Sequence, residues 1–165
     1  MRAFVTLLFF STLAASHAAT TSDPSGLWSN DRSMLRITVQ DGTLRAEVVD
    51  LANPTYEEGE SDRWPAGEAR RDDNNPDTSL RERRIVGINL LQEFELRDGK
   101  WQGKLYDPES GKTYSANITV SRRGNLKMRG YIGTPLLGRT VEFVPAQRCD
   151  ADTRKMTAGA ALAGC

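Results

Sequence analysis

The residues best suited to chemistry fall in one acidic run and the arginine cluster after it. Asp72, Asp73, Asn75 and Asp77 gather carboxylate and amide oxygens within six positions, and Arg81, Arg83 and Arg84 follow. The spacing Asp73-x-Asn75-x-Asp77 matches part of a calcium-binding loop. Thr78, however, stands where the sharp turn needs glycine, and Arg84 where a closing glutamate must bind in bidentate fashion. No metal site is expected. The run reads instead as turn and cap chemistry, with Asp77 or Glu82 pairing Arg81, Arg83 or Arg84. Asn75, Asp77 and Arg81 are the candidates for a functional rim.

Other catalytic constellations are thinly supported. Glycoside hydrolysis needs two carboxyl groups about 5 to 10 Å apart across a cleft. Asp50, Asp77 and Asp107 are the available groups, and nothing in the sequence links any two of them. There is no Gly-x-Ser-x-Gly elbow and no phosphate-binding glycine loop. The single histidine, His17, lies in the N-terminal segment. If that segment is removed, Ser-His-Asp and Cys-His catalysis and the common histidine metal sites go with it. No enzyme activity, catalytic residue or cofactor is expected.

That N-terminal segment has the form of an export signal. Arg2 supplies the positive charge, residues 3–14 form a short apolar run, and Ser16-His17-Ala18 places small residues at −3 and −1 of a cleavage site. Residues 1–18 therefore read as a signal peptide, and the protein as periplasmic or secreted, with no transmembrane segment after cleavage. Losing Arg2 changes 22 basic and 22 acidic residues to 21 against 22, a net charge of −1. A net charge this small makes no electrostatic case for nucleic acid or an anionic membrane. Cys149 and Cys165 both lie in residues 146–165, read as a weakly ordered tail. In an oxidising compartment they are expected to pair, the alternative being a free Cys165.

The elements that would position a site are strands. Tyr114, Ala116, Ile118 and Val120 alternate with Thr113, Ser115, Asn117 and Thr119. Side chains of a strand face opposite sides with period two, so this is a half-buried strand. Residues 101–106 and 126–132 alternate in the same way, as do 34–40 and 43–50 on either side of an Asp41-Gly42 hairpin turn. Residues 53–84 differ. Nine acidic and six basic residues and three prolines leave no period, and the segment reads as a long charged loop, either solvated or lying over one barrel end. Residues 85–96 are apolar on both parities and read as a short strand over 84–88 and a turn of helix over 90–94. Residues 137–144 are the last strand, with Arg139 on the same parity as Val141 and Phe143. Seven or eight consecutive antiparallel strands with one apolar face should close, which removes the exposed edges. The predicted fold is all-β: a single antiparallel up-and-down barrel of about eight strands over residues 19–145, with one short helix and the charged loop.

Four stretches carry a family resemblance. They are Gly26-Leu27-Trp28; Asn75-Pro76-Asp77 with Arg81 and Gly87; Trp101-Gln102-Gly103 through Tyr106-Asp107-Pro108 and Gly111-Lys112-Thr113-Tyr114; and Arg129-Gly130-Tyr131-Ile132-Gly133 through Leu136-Leu137-Gly138-Arg139-Thr140. With them the chain resembles the bacterial exported proteins grouped as domain of unknown function 2147. The resemblance implies a lipocalin-like barrel in the cell envelope and brings no established activity. It also implies a closing contact in which the early tryptophan, Trp28, packs against an arginine of the last strand, Arg139. The longer loop between Pro54 and Asp72 and the cysteine-bearing tail depart from the family.

Two partner classes follow. Small residues among large ones on the inward parity (Ala46, Gly103, Ala116 and Gly130) either open a cavity or relieve crowding where strands bend. With a cavity, Trp28, Trp101, Tyr114, Met128, Arg139 and Phe143 would bind a small apolar or amphipathic ligand such as a fatty acyl chain, its carboxylate on Arg139 or the 81–84 cluster. With a filled barrel, the protein would be a ligand-free interaction module for another envelope protein, meeting it through the charged loop or the tail.

Overall fold

The computed structural model describes residues 23–146; the 1–18 segment, Cys149 and Cys165 lie outside them. Eight strands among the described residues follow one another around a closed antiparallel barrel, each paired with its sequence neighbour. They are β1 (Gly26–Ser29), β2 (Ser33–Gln40), β3 (Thr43–Leu51), β4 (Leu91–Arg97), β5 (Lys100–Asp107), β6 (Lys112–Val120), β7 (Leu126–Tyr131) and β8 (Arg139–Pro145). The predicted all-β barrel is the fold observed.

Alternation explains the wall. Trp101 stands opposite Ile118, which stands opposite Met128, and all three enter one core with Leu35, Ile37, Leu44, Ala46, Leu126 and Phe143. Their neighbours in sequence carry the polar outer face. Asp41 and Asp98 take positive φ (51° each) beside Gly42 and Gly99, the left-handed pair that a tight hairpin needs.

The helix expected over 90–94 is a strand. β4 begins at Leu91 and carries a bulge between Gln92 and Glu95, with Glu93 at φ 51°. The bulge adds one residue to the inward spacing, so Leu91 and Phe94, three apart, both point into the core. Three-residue spacing is also what a helix shows, so the sequence pattern alone does not separate the two. The only helices among the described residues are two 3-10 turns, Thr78–Leu80 and Pro135–Leu137. The strand expected over 84–88 is also absent. Arg84 makes a single bridge to Arg71, and Val86 is exposed.

The barrel closes through two pairs, Trp28 with Pro145 and Ser29 with Val144. At the far end of β8, Arg139 stands opposite Gly130 of β7. Arg139 is thus six residues from Pro145, about 20 Å along the strand. The implied Trp28–Arg139 contact is therefore not made. The Trp28 indole instead donates to the carbonyl of Pro24 at 2.8 Å, and Arg139 is exposed. The strand stagger that closing a barrel imposes separates the two residues.

Gly103 has a definite steric role. A Cβ there would lie 2.5 Å from Phe94 Cδ2 and 2.8 Å from the carbonyl oxygens of Gln92 and Glu93. The β4 bulge fits only because β5 has no side chain opposite it. At Gly130 the nearest atoms are 3.7 Å away, ordinary contact. Gly103→Ala should therefore destabilise the barrel by about 1–3 kcal/mol in urea unfolding, while Gly130→Ala stays within about 1 kcal/mol of wild type.

Candidate functional site

Three places are candidates: the barrel interior, the brace formed by the β3–β4 connection, and the barrel mouth at the start of β8.

The interior is filled. Phe94, Ala46 and Ile118 are 0% exposed, and Leu35, Ile37, Leu44 and Ala116 are 1%. A side chain with no accessible surface borders no void wide enough for water, so these residues leave no lumenal cavity around them. Of the six residues predicted to line a ligand site, Trp28, Trp101, Met128 and Phe143 lie together in this packed core. Tyr114 is half-buried and Arg139 is exposed. Of the small residues, Gly103 relieves crowding against the β4 bulge, and Gly130 has only ordinary contacts.

The charged connection, residues 52–90, is ordered by a buried carboxylate. Asp72 is 0% exposed. Its Oδ1 accepts from the Tyr106 hydroxyl at 2.5 Å. Its Oδ2 accepts from Asn75 Nδ2 at 2.7 Å and from Arg83 Nε at 2.9 Å, and the second Arg83 nitrogen lies 2.8 Å away. A buried carboxylate is tolerable only with donors on both oxygens, and here both are served. Tyr106 lies on the outward parity of β5, so this part of the connection packs on the outside of the wall, while Ile85 and Leu90 pack against the core. Asn74 extends the attachment, donating to the Glu109 carbonyl at 2.8 Å. It passes so close to Gly111 (φ 67°) that a Cβ there would sit 1.8 Å from the Asn74 carbonyl oxygen.

A second layer stands on the first. Asp73 accepts from the Tyr56 hydroxyl and from Trp64 Nε1, the latter at 2.7 Å. The guanidiniums of Arg71 and Arg63 lie 4.9 Å and 5.2 Å from the Trp64 ring centre, within cation–π range. Arg70 pairs with Glu60, Arg71 with Glu68 and Arg63 with Glu82.

The predicted rim residues all fall in this brace. Asn75 is buried against Asp72 and Tyr106. Arg81 Nε donates to the Asn75 carbonyl at 2.7 Å. Asp77 caps the Thr78–Leu80 turn, accepting from Ser79 N and Oγ, which holds its carboxyl below the usual range. The expected pairing of Asp77 or Glu82 with Arg81, Arg83 or Arg84 is corrected: Arg83 reaches back to Asp72, and Glu82 meets Arg63. Asp73, Asn75 and Asp77 each engage different partners, and among the described residues no three carboxylate, histidine or cysteine side chains converge on a point. Asp50 and Asp107 are likewise bonded to their own strand end and turn. Sequence reasoning missed Tyr106, Tyr56 and Trp64. The available signal was Asp72-x-x-Asn75 facing a tyrosine on an outward parity.

At the mouth, Leu105, Tyr114 and Gly130 adjoin on the inner face. Val141, on the same inward parity as Phe143, is 47% exposed. Arg139 stands beside them. Two further concavities are open and polar: a groove of about 350 Å3 between the β2–β3 hairpin and β4, bordered by Asp41, Arg45, Asn89 and Glu93, and one of about 220 Å3 on the outer face, bordered by Arg97, Lys104 and Tyr131.

A closed eight-strand antiparallel barrel with a packed interior defines the class: a lipocalin-like barrel. Among solved structures, the chain is similar to one described as "Protein HP1028 from the human pathogen Helicobacter pylori belongs to the lipocalin family", with a TM-score of 0.57 and 21% identity over 76% of this chain and 84% of that one. At that identity the likeness is one of fold. The family model described as "Uncharacterized protein conserved in bacteria (DUF2147)" matches residues 26–144, and the chain belongs to that family. No curated protein matches it.

Two outcomes are expected. Asp72→Ala, which leaves Arg83, Asn75 and Tyr106 without their acceptor, should cost about 3–5 kcal/mol in urea unfolding. Burial, and then the hydrogen bond to Asp72, push the Tyr106 phenol well above its ordinary value of 10.0. The unfolded chain therefore ionises first as pH rises, so stability is intact below about pH 10 and falls above it. Tyr106→Phe should be less stable at neutral pH and lose stability less steeply above about pH 10, measured by urea midpoints.

Proposed function

We propose that the protein is an interaction module of the bacterial envelope that works through its outer surfaces and carries no ligand inside the barrel. The filled interior carries this reading: the core side chains at 0–1% exposure leave no lumenal space. The N-terminal segment, with its charge, apolar run and small-residue site, supports export to the periplasm or beyond. The contact surface is the braced connection. Four ion pairs lie within it (Arg63–Glu82, Arg70–Glu60, Arg71–Glu68 and Arg83–Asp72) and Asp73 clamps Tyr56 and Trp64, so it offers a preformed, net acidic surface whose ordering cost is met on folding. The bridge between Thr55 and Ala69 brings the ends of the outer loop together. Replacing residues 58–66 with two glycines should therefore leave a folded barrel by circular dichroism and abolish co-purification of the envelope partner. A pull-down unchanged by the replacement overturns the assignment of this surface. Native mass spectrometry of gently purified protein should show the chain alone, with no added mass after mixing with fatty acids.

One observation favours a second reading. The Arg139 guanidinium has no hydrogen bond or ion pair among the described residues, and it stands at the mouth beside the half-exposed, inward Val141. A short amphipathic anion would rest there, its carboxylate on the guanidinium and its apolar part on Val141, Leu105 and Tyr114. Titration with octanoate distinguishes the two. Binding that Arg139→Gln weakens about tenfold supports this site, and no heat or mass change removes it.

A further inference from the structure

The balanced net charge hides a strong segregation. From Ser110 to Val141 there is no aspartate or glutamate, and the stretch holds six basic residues: Lys112, Arg122, Arg123, Lys127, Arg129 and Arg139. It forms β6, β7, the β7–β8 loop and the start of β8. The loop carries the three most exposed large apolar side chains among the described residues: Ile132 at 74%, Leu136 at 87% and Leu137 at 82%. Single exposed apolar residues are ordinary, but three in one loop tip mark an interaction site.

The tip is held in shape. Arg129 donates to the carbonyls of Pro135 (2.8 Å) and Leu136 (3.3 Å) and to Thr140 Oγ1 (2.9 Å). These acceptors are neutral, so its charge is not cancelled. Within the loop, Thr134 N donates to the Ile132 carbonyl, Leu137 N to that of Thr134 and Gly138 N to that of Pro135. Thr134 Oγ1 caps Leu136 N. Pro135 has no N–H to satisfy. These donors and carbonyls, costly to bring unpaired into an apolar medium, already have partners.

We propose that the β7–β8 tip docks on an anionic lipid surface, with Ile132, Leu136 and Leu137 entering the boundary between headgroups and acyl chains and Arg129 and Arg139 meeting the phosphates. This goes beyond the interaction reading above and uses a different surface. Apolar side chains at a rigid tip, collared by guanidiniums that have no carboxylate partner, match a surface that is anionic outside and apolar a few ångströms in. The chain's overall charge gives no long-range attraction, so binding rests on the local cluster and weakens with salt.

Flotation of the full chain with vesicles of phosphatidylglycerol and phosphatidylcholine, and with phosphatidylcholine alone, tests the proposal. The local readout is Leu136→Trp, whose emission should shift blue and be quenched by brominated acyl chains. Wild type should partition to the anionic vesicles about tenfold or more above the neutral ones, L136D/L137D should lose about tenfold or more, and Arg139→Gln should reduce the salt dependence. The leucines contact solvent, so the double variant should keep the wild-type urea midpoint. Flotation without quenching at position 136, equal binding to neutral vesicles, or equal binding of L136D/L137D overturns the proposal. So does self-association in sedimentation that the double variant abolishes, since that assigns the tip to a second copy of the chain. The variant lacking residues 58–66 should float like wild type, so loss of the protein partner and loss of lipid binding are read separately.

Discussion

The barrel depends on a narrow closure. Seven of the eight strand contacts join sequence neighbours, and the eighth joins β1 to β8 through two residue pairs. Without it, two strand edges would present unpaired backbone groups to solvent. Because β1 has four residues and meets only the end of β8, the first half of β8 has no β1 neighbour. That stagger governs which inward positions are truly inside. Phe143, near the closure, is 5% exposed, and Val141, two residues earlier on the same face, is 47%. It also leaves Arg139 at an open mouth, far from the tryptophan it was expected to cover.

With the interior filled, the outer surface is what remains for contact, and it is built by two different means. The connection between β3 and β4 is held by a carboxylate with no accessible surface. Removing such a group from water is costly, and the cost is offset only because Tyr106, Asn75 and Arg83 all donate to it. Removing any donor would leave charge or dipole unmatched in a dry place, so the arrangement is stringent as well as stable. The β7–β8 loop uses one arginine on backbone carbonyls, and this leaves its apolar side chains outward. One surface is polar and laced with internal ion pairs, the other apolar and cationic.

Much of the wall was legible because period two is a local property. β5, β6 and β7 alternate cleanly and lie within two or three residues of where alternation placed them. β4 was not legible as a strand, since its bulge spaces Leu91 and Phe94 as a helix would, and the bulge exists only because Gly103 of the next strand leaves room. The candidate site was half legible. Asn75, Asp77 and Arg81 were named from turn chemistry, but their partners were not, because Tyr106 reaches Asp72 across 34 positions. The local pairing expected within 77–84 lost to longer-range pairs, Arg83 with the buried Asp72 and Arg63 with Glu82.

The sequence by itself determined the fold class, the strand order and the family, because alternation, turn residues and short motifs are written within a few positions of one another. Only the tertiary structure decided that the barrel is filled, that Arg139 and Trp28 do not meet, that Asp72 is the buried anchor of the charged connection, and that the loop with the exposed leucines is held by Arg129, which has no carboxylate partner. Each of these depends on the stagger between strands and on distances between residues tens of positions apart. Periodicity along the chain carries no information about how far one strand slides past the next when the sheet closes.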